Sequence, residues 1–408
     1  MALYLQPVSA RPVAGECLVE KGDQVASTVA APWRERNRSV LTIGTATAFS
    51  LLGDQALYAV LPVYYESLGI SALQVGILLS ANRWIRLVTN DWAHRLGRYG
   101  GQKWLFLAAF LVGSLTTAGY AVFTTFSALL VMRLAWGLAW SFIRHLGVQA
   151  ILDDVPGDKP GRTMGLYNGI SRAGSVAGLL GGALLVDTFG FVAGMLWLAL
   201  FSLISLPLAV SGHRGYRVLQ SRQSGTAPPT LLLAGFAVGI VGPGFVMSTL
   251  GAVLVGYASD DALLSAATLT GVLLAVRYAM DSVAAPWLGG LTDSFGMRQA
   301  GIGYFFVGGI ALLISVSGLP LVGFMAAILC FFICGTGLQA GLAGTAGARG
   351  SGAFARYVTA NDLGSAVGPL LGWFVVDAFA EPGWSLALGG LVYLLAVVVL
   401  ARPTRAQL

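Results

Sequence analysis

Twelve stretches of about twenty predominantly apolar residues follow one another along this chain, separated by short polar connections. A run of that length is what an α-helix needs to cross about 30 Å of hydrocarbon, and it exceeds the usual helix of a water-soluble core. Inside lipid every backbone amide must be satisfied within the protein, which predicts an all-α membrane protein. The spans run over 40–64, 72–90, 104–123, 126–149, 163–185, 189–211, 230–256, 263–290, 299–317, 320–343, 357–376 and 382–401. Composition agrees: the chain is 56% hydrophobic and 10% charged, where soluble domains average about 25% charged. Its 55 glycines suit helices that pack closely in lipid. Cys17, Cys330 and Cys334 cannot build a disulfide framework; Cys330 and Cys334, one helical turn apart, are expected to be apolar packers. Residues 1–39 lack the short apolar core of a signal peptide and are expected to form a polar tail, as are 403–408.

Flanking charges orient the spans. Connections after even-numbered spans carry Arg95, Arg98, Lys103, Lys159, Arg162, Arg214, Arg217, Arg222, Arg298 and Arg349. Those after odd-numbered spans carry Glu66, Asp187, Asp260, Asp261, Asp377 and Glu381, with no Lys or Arg. The positive-inside rule then places both termini in the cytoplasm, with a bacterial inner membrane as the expected setting. The formal charge of +6 is topological on this reading and gives no reason to expect nucleic-acid binding.

The chain is also a repeat. The polar connection 212–229 divides a first set of six spans (40–211) from a second (230–402). Tyr167, Gly174, Ser175, Gly178 and Leu180 in span 5 recur 190 residues later as Tyr357, Gly364, Ser365, Gly368 and Leu370 in span 11. Two pseudo-symmetric six-helix halves around a midplane site is the plan of many secondary transporters.

Three motifs then carry a resemblance. Gly289-Gly-Leu-Thr-Asp293-Ser-Phe-Gly296-Met-Arg298, after span 8, is similar to the glycine/aspartate/arginine loop of the major facilitator superfamily. The first-half counterpart, Asn90-Asp91-Trp-Ala-His94-Arg95-Leu-Gly97-Arg98, has His at the aspartate position and Asp91 one turn earlier. Arg133-Leu-Ala-Trp136-Gly137 resembles that family's span-4 element, with Trp in place of Gln. Gly174/Gly178 and Gly364/Gly368-Pro369 resemble its glycine-rich antiporter element, the span-5 copy lacking the proline. The resemblance covers about 40–402 and implies that spans 1, 4, 7 and 10 line a cavity. It also implies that 2, 5, 8 and 11 form the interface between halves, while 3, 6, 9 and 12 face lipid.

Nine ionisable side chains lie inside the spans, and none falls in 3, 6, 9 or 12. They are Asp54, Arg83, Arg86, Arg133, Arg144, Arg172, Arg277, Asp281 and Asp362. Charges in hydrocarbon face a water-filled path or an opposite charge, so these mark an internal polar pathway. Asp54, mid-span, can take a proton from one side and release it to the other; it is the candidate proton-coupling acid, with Arg133 its partner, and a permanent structural pair is the alternative. Arg277 and Asp281, four apart, share a helix face and can neutralise each other. Arg172 and Asp362 occupy pseudo-equivalent positions and are candidates for a bridge between halves. Arg83 and Arg86 share a face of span 2 and need anions, of which the substrate is one candidate. Trp84, Trp136, Trp140 and Tyr58 are candidates for an aromatic wall. Arg144 and His145 lie near the inner end of span 4.

Six Arg against three Asp inside the spans favours an anionic substrate, because planar guanidinium donors suit carboxylate or phosphate. The three histidines form no metal-binding pattern, and the chain carries neither a nucleophile elbow nor a P-loop. The expectation is a non-enzymatic, cofactor-free carrier, monomeric and surrounded by lipid. It would use protons to export a small organic anion or siderophore-like metabolite by alternating access. Multidrug efflux, organic-anion uptake and a non-transporting receptor or assembly factor are the alternatives.

Overall fold

The structure, a computed structural model, describes residues 37–96, 102–154, 160–212, 225–257 and 264–402. Among the described residues the helices form twelve rods. Rod α1 comprises Arg38–Ser50 and Leu52–Tyr64, α2 is Ala72–Leu96, α3 Gln102–Val122, α4 Phe126–Asp154 and α5 Pro160–Phe189. Rod α6 comprises Phe191–Ser202 and Ser205–Gly212; α7 runs through Pro229–Gly239, a π-helical turn Ile240–Val246 and Met247–Val255. Rod α8 comprises Ala266–Val283 and Ala285–Phe295, followed by α9 Met297–Ser315, α10 Leu321–Ala348, α11 Ser351–Phe379 and α12 Gly383–Ala401. Ten rods are long and apolar enough to cross a membrane. The other two are α2 and α8, which carry Arg83, Arg86, Arg277 and Asp281.

Local chemistry explains where rods begin and bend. Ser71 and Gln74 form a reciprocal capping box at the start of α2: Ser71 N donates to Gln74 Oε1 at 2.9 Å, and Gln74 N to Ser71 Oγ at 3.3 Å. Ser265 caps α8, accepting from Thr268 N at 3.0 Å. Pro207 and Pro286 lie in the first turn after the breaks in α6 and α8, where a residue without an N–H interrupts the hydrogen-bond ladder of the preceding turn. Pro243 lies inside the π-turn of α7, where the ladder is already rearranged.

Each half repeats one packing scheme. In the first, α1 packs on α5 and α6, α4 on α2 and α3, and α3 on α6; in the second, α7 packs on α11 and α12, α10 on α8 and α9, and α9 on α12. Two seams join the halves, α2 against α11 and α5 against α8, with α1 and α7 crossing between them. In the most apolar stretch of α1, 83% of residues are buried, against 33% in α6 and 39% in α12. The outer rods accordingly present Trp197, Leu200, Leu391 and Leu395 outward, as a lipid-facing surface requires.

The repeated glycines are contact points. A Cβ at Gly174 would overlap Ala48, and one at Gly178 would lie 2.7 Å from the Leu52 carbonyl oxygen, so α5 and α1 touch backbone to backbone. Gly364 and Gly368 do the same on α7, against Phe236 and Gly244. Ala48 and the Phe236–Ile240 turn are related by nearly the same 190-residue shift as the glycines themselves.

Candidate functional site

Asp54 sits in the second segment of α1, three residues after the break at Leu51, and is 5% exposed. Arg133, 1% exposed on α4, donates from NH1 to Asp54 Oδ1 at 2.6 Å and from Nε to the Leu78 carbonyl of α2 at 2.9 Å. Two amides complete the carboxylate's shell: Asn82 Nδ2 reaches Oδ1 at 3.2 Å and Gln55 Nε2 reaches Oδ2 at 3.0 Å. A buried ion pair persists where such extra hydrogen bonds satisfy its remaining valences. Tyr58, one turn after Asp54, lies under both Arg83 and Arg133, whose guanidiniums are 5.5 and 5.8 Å from its ring centroid.

This cluster forms the inner end of a cavity of about 320 Å³. Its walls are Leu51, Asp54, Gln55 and Tyr58 of α1, Asn82, Arg83 and Arg86 of α2, and Trp136, Trp140 and Arg144 of α4. Rod α5 adds residues from Tyr167 to Ser175, while the second half supplies Tyr278 and Asp362. Arg144 and Asn168, exposed near the end where α4 stops and α5 starts, mark the mouth. The far end is shut. Asp187 of α5 accepts from Tyr64 of α1 at 2.7 Å, and from Ser265 and Thr268 at the start of α8. Tyr65 stacks edge-on against Trp373 of α11, centroids 5.3 Å apart.

The charge pairing differs from the sequence expectation. Arg172 pairs with Asp281 of α8 at 3.3 Å, and Asp362 pairs with Arg86 of α2 at 3.4 Å, so Arg172 and Asp362 do not bridge each other. Pseudo-equivalent positions on α5 and α11 lie on opposite seams, one facing α8 and the other α2. Arg277 and Asp281 share a face but are not paired. Asp281 Oδ1 instead accepts from Thr336 at 2.6 Å, while Arg277 NH1 lies 2.9 Å from Met247 Sδ, with its guanidinium near the Tyr278 ring. Arg83 finds backbone rather than carboxylate, donating to the carbonyls of Ser365 at 2.5 Å and Pro243 at 3.3 Å. Among the described residues that line the cavity, none belongs to α7 or α10, which the family resemblance had implied would line it.

The aromatic candidates divide. Trp136 and Trp140 stack with centroids 6.0 Å apart and line the cavity with Tyr58. Trp84 does not: it is 38% exposed on the outer side of α2, because about 100° of helical turn separates it from Arg83. Asp91 and Arg95 pair on the last turn of α2 at 2.8 Å, both exposed, while Gly97 and Arg98 lie outside the described residues. Gly289 and the exposed Asp293 lie on the second segment of α8, and Gly296 makes the turn into α9 with φ 81°. Arg298 donates to the carbonyls of Leu400, Ala401 and Arg402 at 3.0, 2.9 and 3.4 Å, capping the C-terminal end of α12. Gln55, Asn82 and Ser171 are site residues that sequence reasoning missed. Being uncharged, they carry no cost in an apolar span large enough to draw attention.

The Major Facilitator Superfamily profile matches residues 43–348, three quarters of the chain. The chain belongs to the major facilitator superfamily. It is a multi-pass integral membrane protein. Among curated relatives, an uncharacterised MFS-type transporter of Methanocaldococcus jannaschii is 24% identical over 38% of this chain and 40% of its own length. The quinolone resistance protein NorA of Staphylococcus aureus is 23% identical over 35% of this chain and 37% of its own. These alignments thus span about two fifths of the relatives' lengths. The fold extends further. A bacterial homologue of the human lysosomal transporter Spinster, inward-facing and occupied, superposes with a TM-score of 0.70 at 15% identity, covering 90% of this chain and 95% of that one. The nucleoside transporter NupG gives 0.70 at 14% identity over 90% and 98%.

Proposed function

We propose that this major facilitator superfamily member exports a small organic anion from the cytoplasm in exchange for protons. Residues 40–211 and 230–402 would rock as two bodies joined by 212–229, with both termini inside. The observation that carries the reading is the buried Asp54–Arg133 pair at the end of a cation-rich cavity. Four guanidiniums, of Arg83, Arg86, Arg144 and Arg172, stand on the walls with the carboxylates of Asp54 and Asp362. With Arg133 behind Asp54 and Asp281 behind Arg172, three pairs form and Arg83 and Arg144 stay unmatched by any described carboxylate. A surplus of that kind favours an anion. With the positive-inside orientation, the mouth at Arg144 faces the cytoplasm and the latch at Asp187 faces out, as in a carrier ready to load for export.

The test is proton movement in proteoliposomes when organic anions are added, for wild type and Asp54→Asn. Proton flux opposite to the anion, reduced to background in Asp54→Asn, is the expected result. Anion movement without proton flux would make the protein a facilitator and Asp54 a structural partner of Arg133. The likeness to NorA supports one second reading, proton-coupled drug efflux, which predicts that quinolones drive the same flux.

A further inference from the structure

Gln55 and Asn82 each donate an amide N–H to Asp54, to Oδ2 and Oδ1 respectively. An ionised carboxylate only accepts, so both amides are held with nitrogen toward Asp54 and oxygen away from it. Those oxygens, Gln55 Oε1 and Asn82 Oδ1, are buried without a hydrogen-bond partner in the protein. The residues are 8% and 4% exposed, and both line the cavity. Buried acceptors in native proteins are nearly always satisfied, so two orphans on residues of α1 and α2 that line one cavity point to a ligand that supplies the donors. The same cavity holds the unmatched guanidiniums of Arg83 and Arg144 and the rings of Tyr58, Trp136 and Trp140.

We propose that the substrate is a small organic anion bearing a hydroxyl or amino donor, and that Gln55 receives this donor only while Asp54 is ionised, with Asn82, held on Oδ1, a second acceptor that the proton does not turn. The proposal rests on the proton-coupled anion reading above and names the chemistry that reading leaves open. Asp54 Oδ1 is engaged by Arg133 at 2.6 Å and by Asn82, whereas Oδ2 is engaged by Gln55 alone. A proton taken from cavity water therefore settles on Oδ2 and turns it from acceptor into donor. Gln55 Nε2 would then face an O–H, so the amide turns over, gives Oε1 to the acid proton and presents Nε2 to the cavity. The substrate's donor loses its acceptor as the proton arrives. When Asp54 returns the proton to water on the other side, the amide turns back. Proton and substrate exclude each other at one side chain, which is the condition an antiporter needs. Charged and titratable groups sharing this environment are Arg133 and Arg144 of α4, Tyr120 of α3, Arg83 and Arg86 of α2, Arg172 and Tyr167 of α5, Tyr58 of α1, Tyr278 of α8 and Asp362 of α11. None of them hydrogen-bonds Oδ2.

Titration calorimetry of the purified full chain in detergent tests this with 3-phenyllactate, 3-phenylpropionate and 2-methoxy-3-phenylpropionate. The three share the anion and the ring, and only the first carries a donor. The expected preference for 3-phenyllactate is about tenfold, the effect of one hydrogen bond. Gln55→Met should abolish the preference, bringing 3-phenyllactate to the affinity that the same variant shows for 3-phenylpropionate, and its thermal midpoint in detergent reports that it is folded. A purely structural Gln55 would weaken all three acids together. Equal binding of the three by wild type, or a preference that survives in Gln55→Met, overturns the donor proposal and leaves the anion reading standing. Failure of all three to bind at millimolar concentration overturns both.

Discussion

Removing the charge at Arg133 leaves the Asp54 carboxylate buried against two neutral amides. Breaking a buried pair from one side costs about 3–5 kcal/mol, mostly for the charge left behind. Arg133→Leu is therefore expected to lower the thermal midpoint in detergent sharply. Arg133→Leu combined with Asp54→Asn should recover most of the loss, since neither charge remains. Failure of the double variant to recover would mean that the Arg133 link to the Leu78 carbonyl, and not the ion pair, holds α4 to α2. The two inter-half pairs are a different matter. Arg86 and Arg172 belong to the first half, Asp281 and Asp362 to the second, so the halves meet with opposite charges on both seams. Each pair is more exposed than Asp54–Arg133, and the Arg172 side chain is 39% exposed, so each is expected to contribute less.

Helix-on-helix contact in lipid gains nothing from the hydrophobic effect, so it depends on how closely backbones approach. Rod α5 provides its own control. Gly174 lies against Ala48, whereas a Cβ at Gly181 would meet nothing within 4 Å. Gly174→Ala is expected to destabilise by about 1–3 kcal/mol through overpacking. Gly181→Ala should be neutral or stabilising by up to about 1 kcal/mol, because alanine is the better helix former. Thermal unfolding of the two variants decides; equal effects would mean that α1 and α5 do not pack at Gly174. The corresponding glycines of the second half, Gly364 and Gly368 of α11, are set against the π-turn of α7 rather than a simple break. The halves are thus alike in packing and unlike in chemistry: α7 and α10 carry no Asp, Glu, Lys or Arg, while α1 and α4 carry Asp54, Arg133 and Arg144.

Closure of the molecule at the end opposite the mouth depends on one carboxylate. Asp187 ties α1, α5 and α8 together by accepting from Tyr64, Ser265 and Thr268. Asp187→Ala removes three hydrogen bonds that the proposed alternating access would have to break, so it should shift the population toward opening at that end. A cysteine placed at Ser175 on the cavity wall, in a background without the native cysteines, reports this. Its reaction with a membrane-impermeant thiol reagent added on the Asp187 side should accelerate severalfold in Asp187→Ala. An unchanged rate would show that packing such as Tyr65 on Trp373 is sufficient to keep the end shut.

What the sequence by itself determined is what depends on local pattern and on solvent: helices crossing lipid, their sequence order, the repeat of two halves and the presence of an internal charged path. Apolar length, flanking Arg and the 190-residue recurrence of Tyr167, Gly174 and Gly178 are all properties of the chain read in one dimension. Asp54 and Arg133 stood out for the same reason, since a charge in an apolar span is conspicuous wherever its partner lies. Only the tertiary structure decided who meets whom. Arg133 and Asp54 are 79 residues apart, Arg86 and Asp362 are 276 apart, and each contact depends on how a rod is rotated and which seam it joins. Rotation turned Trp84 outward. Seam geometry sent Arg172 to Asp281 and Asp362 to Arg86. Gln55 and Asn82 became visible only when the orientation of their amides around Asp54 left two oxygens buried and unmet.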